Sequence, residues 1–346
     1  MRMSYNILMP RLLCAFALLA VLMPGCHPGV DNWDNDPRGN FDALWATIDR
    51  HYCFLDEKGV DWDEVYARYS PRVTDRMTQE ELFIVCSEML DELRDGHVNL
   101  SSPYATSYYR AWWSDYPRNY DARLIEQYYL NFNYRSLGVF DYGFLSGNVG
   151  YLRCSSFSSG LGEGNLDYIL SYFASAQGII IDIRDNGGGS MTNVETLARR
   201  FVGERRVAGY ISHKTGPGHS DFSTPRAYYI TPIGEGHINW GKPVVVLTNR
   251  GTFSAANNFA SVMKCVPGVT LVGAATGGGS GMPFSYEIPC GWGIRFSACS
   301  VLDAEGRSTE SGVTPHVAVD MDMEDAMGGI DTILETAIAV INNNVD

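Results

Sequence analysis

Residues 241–264 read GKPVVVLTNRGTFSAANNFASVMK and combine a strand pattern with a helix pattern. The run over residues 244–247 is short, apolar and β-branched, and it lies between turn-forming residues, which is typical of a strand covered on both faces. After Ser254 the apolar residues recur at helical spacing. The segment therefore predicts a buried strand that turns sharply into a helix, with Ser254 at the turn.

Ser254 has two interpretations at this position. Serine is a favoured helix cap, and the shape of the sequence alone favours this common role. As a nucleophile, Ser254 would instead place its hydroxyl beside the unpaired N–H groups of a helix N-terminus, which can stabilise an oxyanion. The second interpretation requires a general base, and a group that orients the base, elsewhere in the chain.

Glycines follow a second predicted buried strand. Residues 178–184 are largely apolar and lead into a tight loop that contains Gly187, Gly188 and Gly189. Glycines in such a loop present backbone N–H groups without obstruction by side chains. We predict that Gly187 or Gly188, together with the N–H group of Ala255, forms an oxyanion hole. The loop lacks the third glycine of a dinucleotide motif and is followed by no Walker lysine, which disfavours nucleotide binding.

Seven histidines are candidates for the base. His97 lies at the end of a predicted helix, whereas His213 and His219 lie in a polar insert between predicted strands. These two histidines and Asp221 form an alternative set of metal ligands, although their spacing fixes no geometry. Position along the chain does not by itself select the base.

Composition limits the classes of partner and cofactor. The 346-residue chain has 26 basic and 40 acidic residues and a formal net charge of −14 at pH 7, which argues against nucleic acid and anionic lipid as partners. Six of the eight cysteines follow residue 26, and their spacing matches no zinc motif. We therefore expect neither a metal ion nor a cofactor, and the sequence does not choose among the disulfide pairings that export would permit.

The beginning of the chain is typical of an export signal. Arg2 and Arg11 precede an apolar run, residues 12–23, that is too short to span a bilayer. The run ends at Pro24-Gly25-Cys26, which resembles the lipobox of bacterial lipoproteins. The resemblance implies a signal peptide over residues 1–25 and lipidation of Cys26. We expect a protein anchored in the cell envelope, facing the periplasm or the cell surface, at the outer membrane.

The rest of the chain divides by pattern into four parts. Residues 26–39 are polar and rich in turn formers, and they predict a flexible tether. Helical periodicity over residues 40–98, with a capping box and with Gly96 as a left-handed helix end, predicts a small helical N-terminal domain. Residues 99–145 are rich in tyrosine and tryptophan and have too weak a periodicity for an assignment. Residues 146–346 alternate strands with helices, which predicts an α/β domain.

Five motifs follow one another along the chain. They are Asp95-Gly96-His97, Ile181-Asp182-Ile183-Arg184 with Asn186-Gly187-Gly188-Gly189, Thr252-Phe253-Ser254-Ala255-Ala256, Thr276-Gly277-Gly278-Gly279, and Glu310-Ser311-Gly312-Val313-Thr314-Pro315. In this order they resemble the motifs of the C-terminal processing and tricorn-like serine peptidases. The resemblance extends over most of the chain from about residue 40, and an ordered set is far more specific than any single motif.

This resemblance implies both a fold and a set of roles. The fold is α/β, a ClpP/crotonase-like spiral of ββα units with a small helical N-terminal domain. The implied roles are Ser254 as nucleophile, His97 as general base, Glu310 as the acid that orients His97, and the N–H groups of Ala255 and of Gly187 or Gly188 as oxyanion donors.

The chain also departs from the family pattern. Many processing peptidases pair the serine with a lysine about 25 positions later, where this chain has Gly279, and Lys264 is about 15 Å along the helix from Ser254. A Ser-Lys arrangement is therefore excluded. The tricorn-like branch often has a serine directly before the histidine, where this chain has Gly96. Residues 99–145 are too few for a PDZ domain.

Together these patterns predict a lipid-anchored serine endopeptidase. It would hydrolyse peptides or unfolded exported proteins through a Ser-His-Glu triad, with His97 active near its ordinary pKa of ~6.5 unless its environment shifts it. One alternative is a non-catalytic ligand- or peptide-binding protein on the same scaffold. Another, an acyl-CoA enzyme, has only fold analogy in its favour. The sequence leaves the oligomeric state open.

Overall fold

The computed structural model describes residues 33–114 and 116–343. The predicted signal peptide over residues 1–25, Cys26 and the first half of the predicted tether, to residue 32, lie outside these described residues. Within them, no helix is both long enough and apolar enough to cross a bilayer.

In the described residues, four α-helices precede residue 92 and seven follow residue 110. In chain order they are α1 Pro37–His51, α2 Leu55–Lys58, α3 Trp62–Tyr69, α4 Gln79–Asp91, α5 Ala111–Ser114, α6 Ala122–Leu124, α7 Glu163–Tyr172, α8 Met191–Ala198, α9 Ala255–Lys264, α10 Met323–Met327 and α11 Thr332–Asn343. Short 3-10 turns occur at Ser70–Arg72 and Ser146–Asn148, and a π-helical turn at Ile125–Tyr129.

The strands form two sheets. In chain order they are β1 Asn99–Ser101, β2 Arg135–Leu137, β3 Phe140–Leu145, β4 Val149–Cys154, β5 Ile179–Asp182, β6 Arg206–His213, β7 Arg226–Ile230, β8 Val244–Thr248, β9 Val269–Gly273, β10 Met282–Glu287, β11 Gly293–Leu302 and β12 Val317–Ala318.

The larger sheet has the strand order β12-β9-β8-β5-β4-β3-β2. Its five strands from β12 to β4 are parallel, and β3 and β2 extend it in antiparallel fashion. Strand β8 is buried throughout, with Val244 and Val246 in a cluster that includes α9, and Val245 and Leu247 in a second cluster with α11. Apolar side chains on both faces explain the continuous β-branched run, and the prediction of an α/β fold is confirmed.

The smaller sheet is antiparallel and joins the N-terminal helices to the rest of the molecule. Its path is β1-β11-β6-β7, and β10 pairs with β11 as well. Trp292 and Ile294, at the start of β11, share a hydrophobic cluster with Phe41 of α1 and Met89 of α4. The helices predicted as a domain over residues 40–98 therefore pack directly on this sheet, and their apolar faces are covered by it.

The structure corrects three details of the sequence prediction. Helix α1 begins at Pro37 with Asp36 as its cap, so the end of the predicted tether over residues 26–39 is helical. Strands β2 and β3 belong to the larger sheet, which therefore begins before residue 146. The left-handed residue after α4 is Arg94, with φ of 50°, and not Gly96 as predicted.

The topology brings several loops to one edge of the larger sheet. Strands β5, β8 and β9 are parallel neighbours, so the loops that follow them lie side by side. These loops contain the glycines at 187–189, Ser254, and the glycines at 277–279. The turn between α4 and β1 carries His97, and it meets the same edge because the His97 ring contacts Ser254.

Candidate active site

Ser254 lies at the turn between β8 and α9, as the sequence predicts. Its backbone has φ of 57° and ψ of −121°, a conformation that L-residues rarely adopt. The Ser254 N–H group donates to the carbonyl of Gly278 (2.9 Å), which ties the strained turn to the loop after β9. The Ser254 side chain forms no cap hydrogen bond. The structure therefore disfavours the interpretation of this residue as a simple helix cap.

His97 is the partner of the Ser254 hydroxyl. Its Nε2 atom lies 2.9 Å from Ser254 Oγ, although the two residues are 157 positions apart in the chain. The His97 ring is buried and packs against the ring of Phe253, with the two centroids 4.8 Å apart. The backbone N–H of His97 donates to Asp95 Oδ1 (2.7 Å), which fixes the turn that carries the ring. A serine and a neutral imidazole in this contact form the minimal pair for general-base activation of a hydroxyl.

Glu310 lies close to this pair, but its carboxylate has other partners. Its Oε1 atom is 2.9 Å from Lys58 Nζ, and its Oε2 atom accepts a hydrogen bond from the backbone N–H of Ser280 (2.9 Å). Among the described residues, the buried Nδ1 atom of His97 has no hydrogen-bond partner. The direct contact through which Glu310 was predicted to orient His97 is therefore not formed, because Lys58 and the Ser280 amide hold the carboxylate.

A group of buried charges surrounds the histidine. Asp95 accepts a hydrogen bond from the Tyr52 hydroxyl (2.7 Å) and lies 3.7 Å from Lys58 Nζ. Asp95 and Glu310 are both almost completely buried, and Lys58 lies between their carboxylates. Lys58 has no distinguishing pattern in the sequence, because a lysine in a short charged segment resembles an ordinary surface residue.

Burial sets the protonation behaviour of the site. It lowers the pKa of His97 to about 4; Asp95 opposes this effect, whereas Arg295 and Lys58 add to it. Burial, and then repulsion by Asp95, raise the pKa of Glu310 to about 7 against the opposing effect of Lys58. Burial alone would lower the pKa of Lys58, but the two carboxylates raise it above its ordinary value. A neutral His97, with Nε2 free to accept a proton, is therefore the form present at neutral pH.

The predicted oxyanion donors lie beside Ser254. A methyl group on Gly188 would stand 2.8 Å from the Ala255 nitrogen and 2.8 Å from Ser254 Cβ, so this glycine packs directly on the turn. The Gly188 N–H group, however, already donates to Asn186 Oδ1 (2.9 Å). Gly187 is exposed, and Ala255 is the first residue of α9, where backbone N–H groups lack intrahelical partners. The structure thus brings Gly188 and Ala255 to the serine turn, with the amide of Gly188 engaged and Gly187 as its exposed neighbour.

Comparisons with known proteins identify the family of this chain. The model of peptidase family S41 matches residues 148–319, and the model of the tricorn protease C1 domain matches residues 34–91. A crystal structure from Parabacteroides merdae ATCC 43184, provisionally described as a peptidase, is 47% identical with a TM-score of 0.84, covering 89% of this chain and 97% of the other. The chain belongs to peptidase family S41. The family predicted from the ordered motifs is confirmed.

More distant relatives of this S41 chain define its fold. Mature CPAF, in complex with lactacystin, superposes with a TM-score of 0.68 over 89% of this chain and 99% of the other, at 14% identity, and supports the predicted α/β, ClpP-like fold. The carboxy-terminal processing protease CtpA of Bacillus subtilis (strain 168) is 27% identical over 176 residues, which are 50% of this chain and 35% of CtpA. The aligned region is therefore only about a third of that curated relative.

The departures of this S41 chain from its family pattern have structural causes. A Cβ atom on Gly279 would lie 2.4 Å from the Phe253 ring, so a lysine at this position does not fit. A Cβ atom on Gly96 would lie 2.6 Å from Nε1 of Trp112. Trp112 stacks on Phe253 with centroids 4.0 Å apart. Part of the aromatic segment that the sequence left unassigned therefore occupies the space that a serine before His97 would need.

Other charged residues of this S41 chain have structural contacts. Arg184 is completely buried and pairs with Asp182 (2.6 Å) and Asp331 (2.8 Å), which links the end of β5 to α11. His219, one of the alternative metal ligands, hydrogen bonds to Asp49 on α1 (2.8 Å). His213 contacts Ser223 instead (3.1 Å). These contacts do not bring the alternative ligand set together.

Replacement of Gly188 by alanine should disturb the turn that carries the serine. Gly188 has φ of 96°, and an added Cβ would lie 2.7 Å from the Phe253 carbonyl oxygen. We expect Gly188→Ala to lower the free energy of unfolding in urea by about 1–3 kcal/mol. The matched control is Gly187→Ala, since a Cβ there meets nothing within 4 Å and should change stability by less than about 0.5 kcal/mol. Equal effects of the two substitutions would contradict this account.

Proposed function

We propose that this protein is a serine peptidase in which Ser254 is the nucleophile and His97 is the general base. The observation that carries the proposal is the contact of 2.9 Å between His97 Nε2 and Ser254 Oγ, made at a strained strand-to-helix turn. Strained turns of this kind expose a nucleophilic hydroxyl in other hydrolases. Membership in family S41 supports the same chemistry.

The chemistry proceeds by two transfers of one proton. Neutral His97 accepts the hydroxyl proton as Ser254 Oγ bonds to the carbonyl carbon of the substrate, and the resulting imidazolium then protonates the leaving amine. The acyl-enzyme is hydrolysed when His97 in the same way activates a water molecule. The negative charges of Asp95 and Glu310 favour the imidazolium through space, since neither carboxylate hydrogen bonds to the ring.

The carbonyl oxygen becomes negative in the tetrahedral intermediate, and the first turn of α9 is suited to stabilise it. The N–H group of Ala255 lies at the helix N-terminus, where the dipole favours negative charge. A second donor comes from the Gly187 to Gly188 loop. Because the Gly188 amide is bonded to Asn186, the exposed Gly187 amide is the better candidate.

Peptides or unfolded segments of exported proteins are the proposed substrates, cleaved internally. The curated relatives with which this chain aligns are named as carboxy-terminal processing proteases. In this chain an aromatic segment, residues 104–116, contributes the exposed side chains of Tyr104, Tyr108, Trp113 and Tyr116. Trp112 of this segment reaches the Phe253 ring beside the nucleophile, so apolar side chains of a substrate would meet aromatic surface near the scissile bond.

Removal of the proposed nucleophile should abolish activity and leave the fold intact. We expect Ser254→Ala to lower peptidase activity at least about 10³-fold and to abolish labelling by a fluorophosphonate probe, since no other hydroxyl contacts His97 Nε2 in the described residues. Ser285→Ala, which changes an exposed serine of β10, is the control and should be labelled like the wild type.

The same experiment separates the peptidase from a binding protein. A wild-type protein that is folded, remains unlabelled and cleaves no peptide would favour the alternative of a non-catalytic ligand- or peptide-binding protein. Peptide cleavage that persists in the Ser254→Ala variant would sink the assignment of the nucleophile.

The rate of fluorophosphonate labelling should fall in two stages as pH decreases. Near pH 7 the protonation of Glu310 removes a negative charge beside the imidazolium, and a partial decrease is expected. Near pH 4 the protonation of His97 removes the base, and labelling should stop. A Glu310→Gln variant should lose the first stage and keep the second. One complete decrease near the ordinary histidine pKa of ~6.5 in both proteins would contradict the electrostatic account.

We also propose that the protein is anchored to the cell envelope through Cys26. The proposal is based on the apolar run and the lipobox-like sequence that ends at this cysteine. In a Gram-negative host, cells grown with an alkyne-labelled fatty acid should incorporate the label into the wild-type protein, and Cys26→Ser should lose both the label and its recovery in the membrane fraction. Cys265→Ser should retain both; label retained by Cys26→Ser would refute the anchor.

A further inference from the structure

Lys58 occupies an unusual position for a lysine. Its Nζ atom lies 2.9 Å from Glu310 Oε1, 3.7 Å from Asp95 Oδ2 and 3.2 Å from the carbonyl oxygen of Arg94. An ammonium group has three N–H donors, and three acceptors surround this one. The Lys58 side chain is only 15% exposed, so its charge is compensated mainly by these groups.

The end of α2 is held against both loops that carry the acidic residues. The Arg94 guanidinium donates to the carbonyl of Lys58 (3.1 Å), which reciprocates the bond from the lysine to the Arg94 carbonyl. Glu57 accepts a hydrogen bond from Ser308 (2.6 Å), two residues before Glu310. The position of the ammonium is therefore defined by the backbone of α2 and by its two neighbouring loops.

Stability alone is a weak explanation for these buried charges. The desolvation of an ion pair cancels much of its attraction, and apolar replacements of similar size are often as stable. The three charges also lie directly beside the proposed base, because Asp95 accepts the backbone N–H of His97. A role in the chemistry of His97 explains both their burial and their location.

We propose that Lys58 is a positioning residue of the active site, whose ammonium holds the Glu310 carboxylate ionised beside Asp95 so that its charge stabilises the His97 imidazolium. This inference rests on the proposed function and deepens it, since it assigns part of the catalytic electrostatics to a helix outside the sheet that carries the nucleophile. Lys58 does not touch the reacting atoms, and it acts through Glu310.

The charged and titratable groups around the pair come from every element packed against it. They are Tyr52 and Cys53 after α1, Glu57 on α2, Arg94, Asp95 and His97 in the turn before β1, Arg295 on β11, and Glu310 itself. Lys58 is the cation that contacts Glu310, whereas Arg295 acts on His97 and Asp95. Loss of Lys58 should therefore change the protonation of Glu310 more than that of any other group.

The first test is the rate of fluorophosphonate labelling of Lys58→Met in the full chain. At pH 7 we expect the rate to fall about 10- to 100-fold, as when a positioning contact is lost. The stage of the pH profile that belongs to Glu310 should move to higher pH, because the cation that opposes its protonation is gone. Lys242→Met is the matched control, since Lys242 also donates to backbone carbonyls and lies over an aromatic ring, and it should label like the wild type.

A double-mutant cycle tests whether Lys58 acts through Glu310. In the Glu310→Gln background, Lys58→Met should cause little further loss, because the carboxylate that it holds is already neutral. Losses that multiply independently, or a Lys58→Met variant with the wild-type rate and pH profile, would overturn the proposal. The double variant also serves if Lys58→Met alone folds poorly, since it leaves no unpaired Glu310 charge.

Titration of the Glu310 carboxyl group by NMR separates this inference from the proposed function. Removal of the ammonium should raise the pKa of Glu310, since Lys58 opposes its protonation, and the Glu310→Gln variant assigns the resonance. If the wild type is not labelled but this shift occurs, the peptidase proposal fails and the coupling of Lys58 to Glu310 stands. If the wild type is labelled and the Glu310 titration is unchanged in Lys58→Met, the assignment of Lys58 fails.

Discussion

The structure depends on one contact between residues that adjoin different sheets, the contact of 2.9 Å between His97 Nε2 and Ser254 Oγ. His97 precedes β1 of the antiparallel sheet, and Ser254 follows β8 of the larger sheet. Neither sheet contains both groups. The N-terminal helices, whose apolar faces pack on β11, therefore do more than add a core, since they hold the proposed base within hydrogen-bond distance of the proposed nucleophile.

Local strain at the serine is compensated by a dense set of backbone contacts. The conformation of Ser254 costs free energy for a residue with a Cβ, and such conformations persist only where the surroundings enforce them. Here the carbonyl of Gly278 accepts the Ser254 N–H, and Gly188 packs on the other side without room for a side chain. The glycines in the two loops are thus explained by close backbone approach.

In the proposed mechanism the acidic residues act on the imidazole through charge, because neither carboxylate hydrogen bonds to the ring. Lys58 and the Ser280 amide bind the carboxylate of Glu310, and Asp95 binds the backbone of the His97 turn. In a buried site the field of such charges is weakly screened, so that carboxylates can stabilise an imidazolium without touching it. The burial that strengthens this field also depresses the pKa of the histidine.

The aromatic segment fills space directly beside the proposed active site. Trp112 stacks on Phe253, and its indole nitrogen lies where a side chain on residue 96 would project. Weak periodicity prevents an assignment of residues 99–145 from the sequence, because a short element such as β1 is defined by its pairing with the distant strand β11 and not by local pattern. Strands β2 and β3, at one end of the larger sheet, are not predicted for the same reason.

The sequence by itself determined the elements whose signal is local. The buried run of β8, the capping box of α4 and the serine at the turn before α9 follow from burial on both faces, from cap chemistry and from helical spacing. Only the tertiary structure decided the partners of Glu310, because its cation comes from a helix about 250 residues earlier, where a lysine has no distinguishing pattern. Electrostatic partners are selected by three-dimensional proximity in a buried site, and sequence spacing carries no information about that proximity.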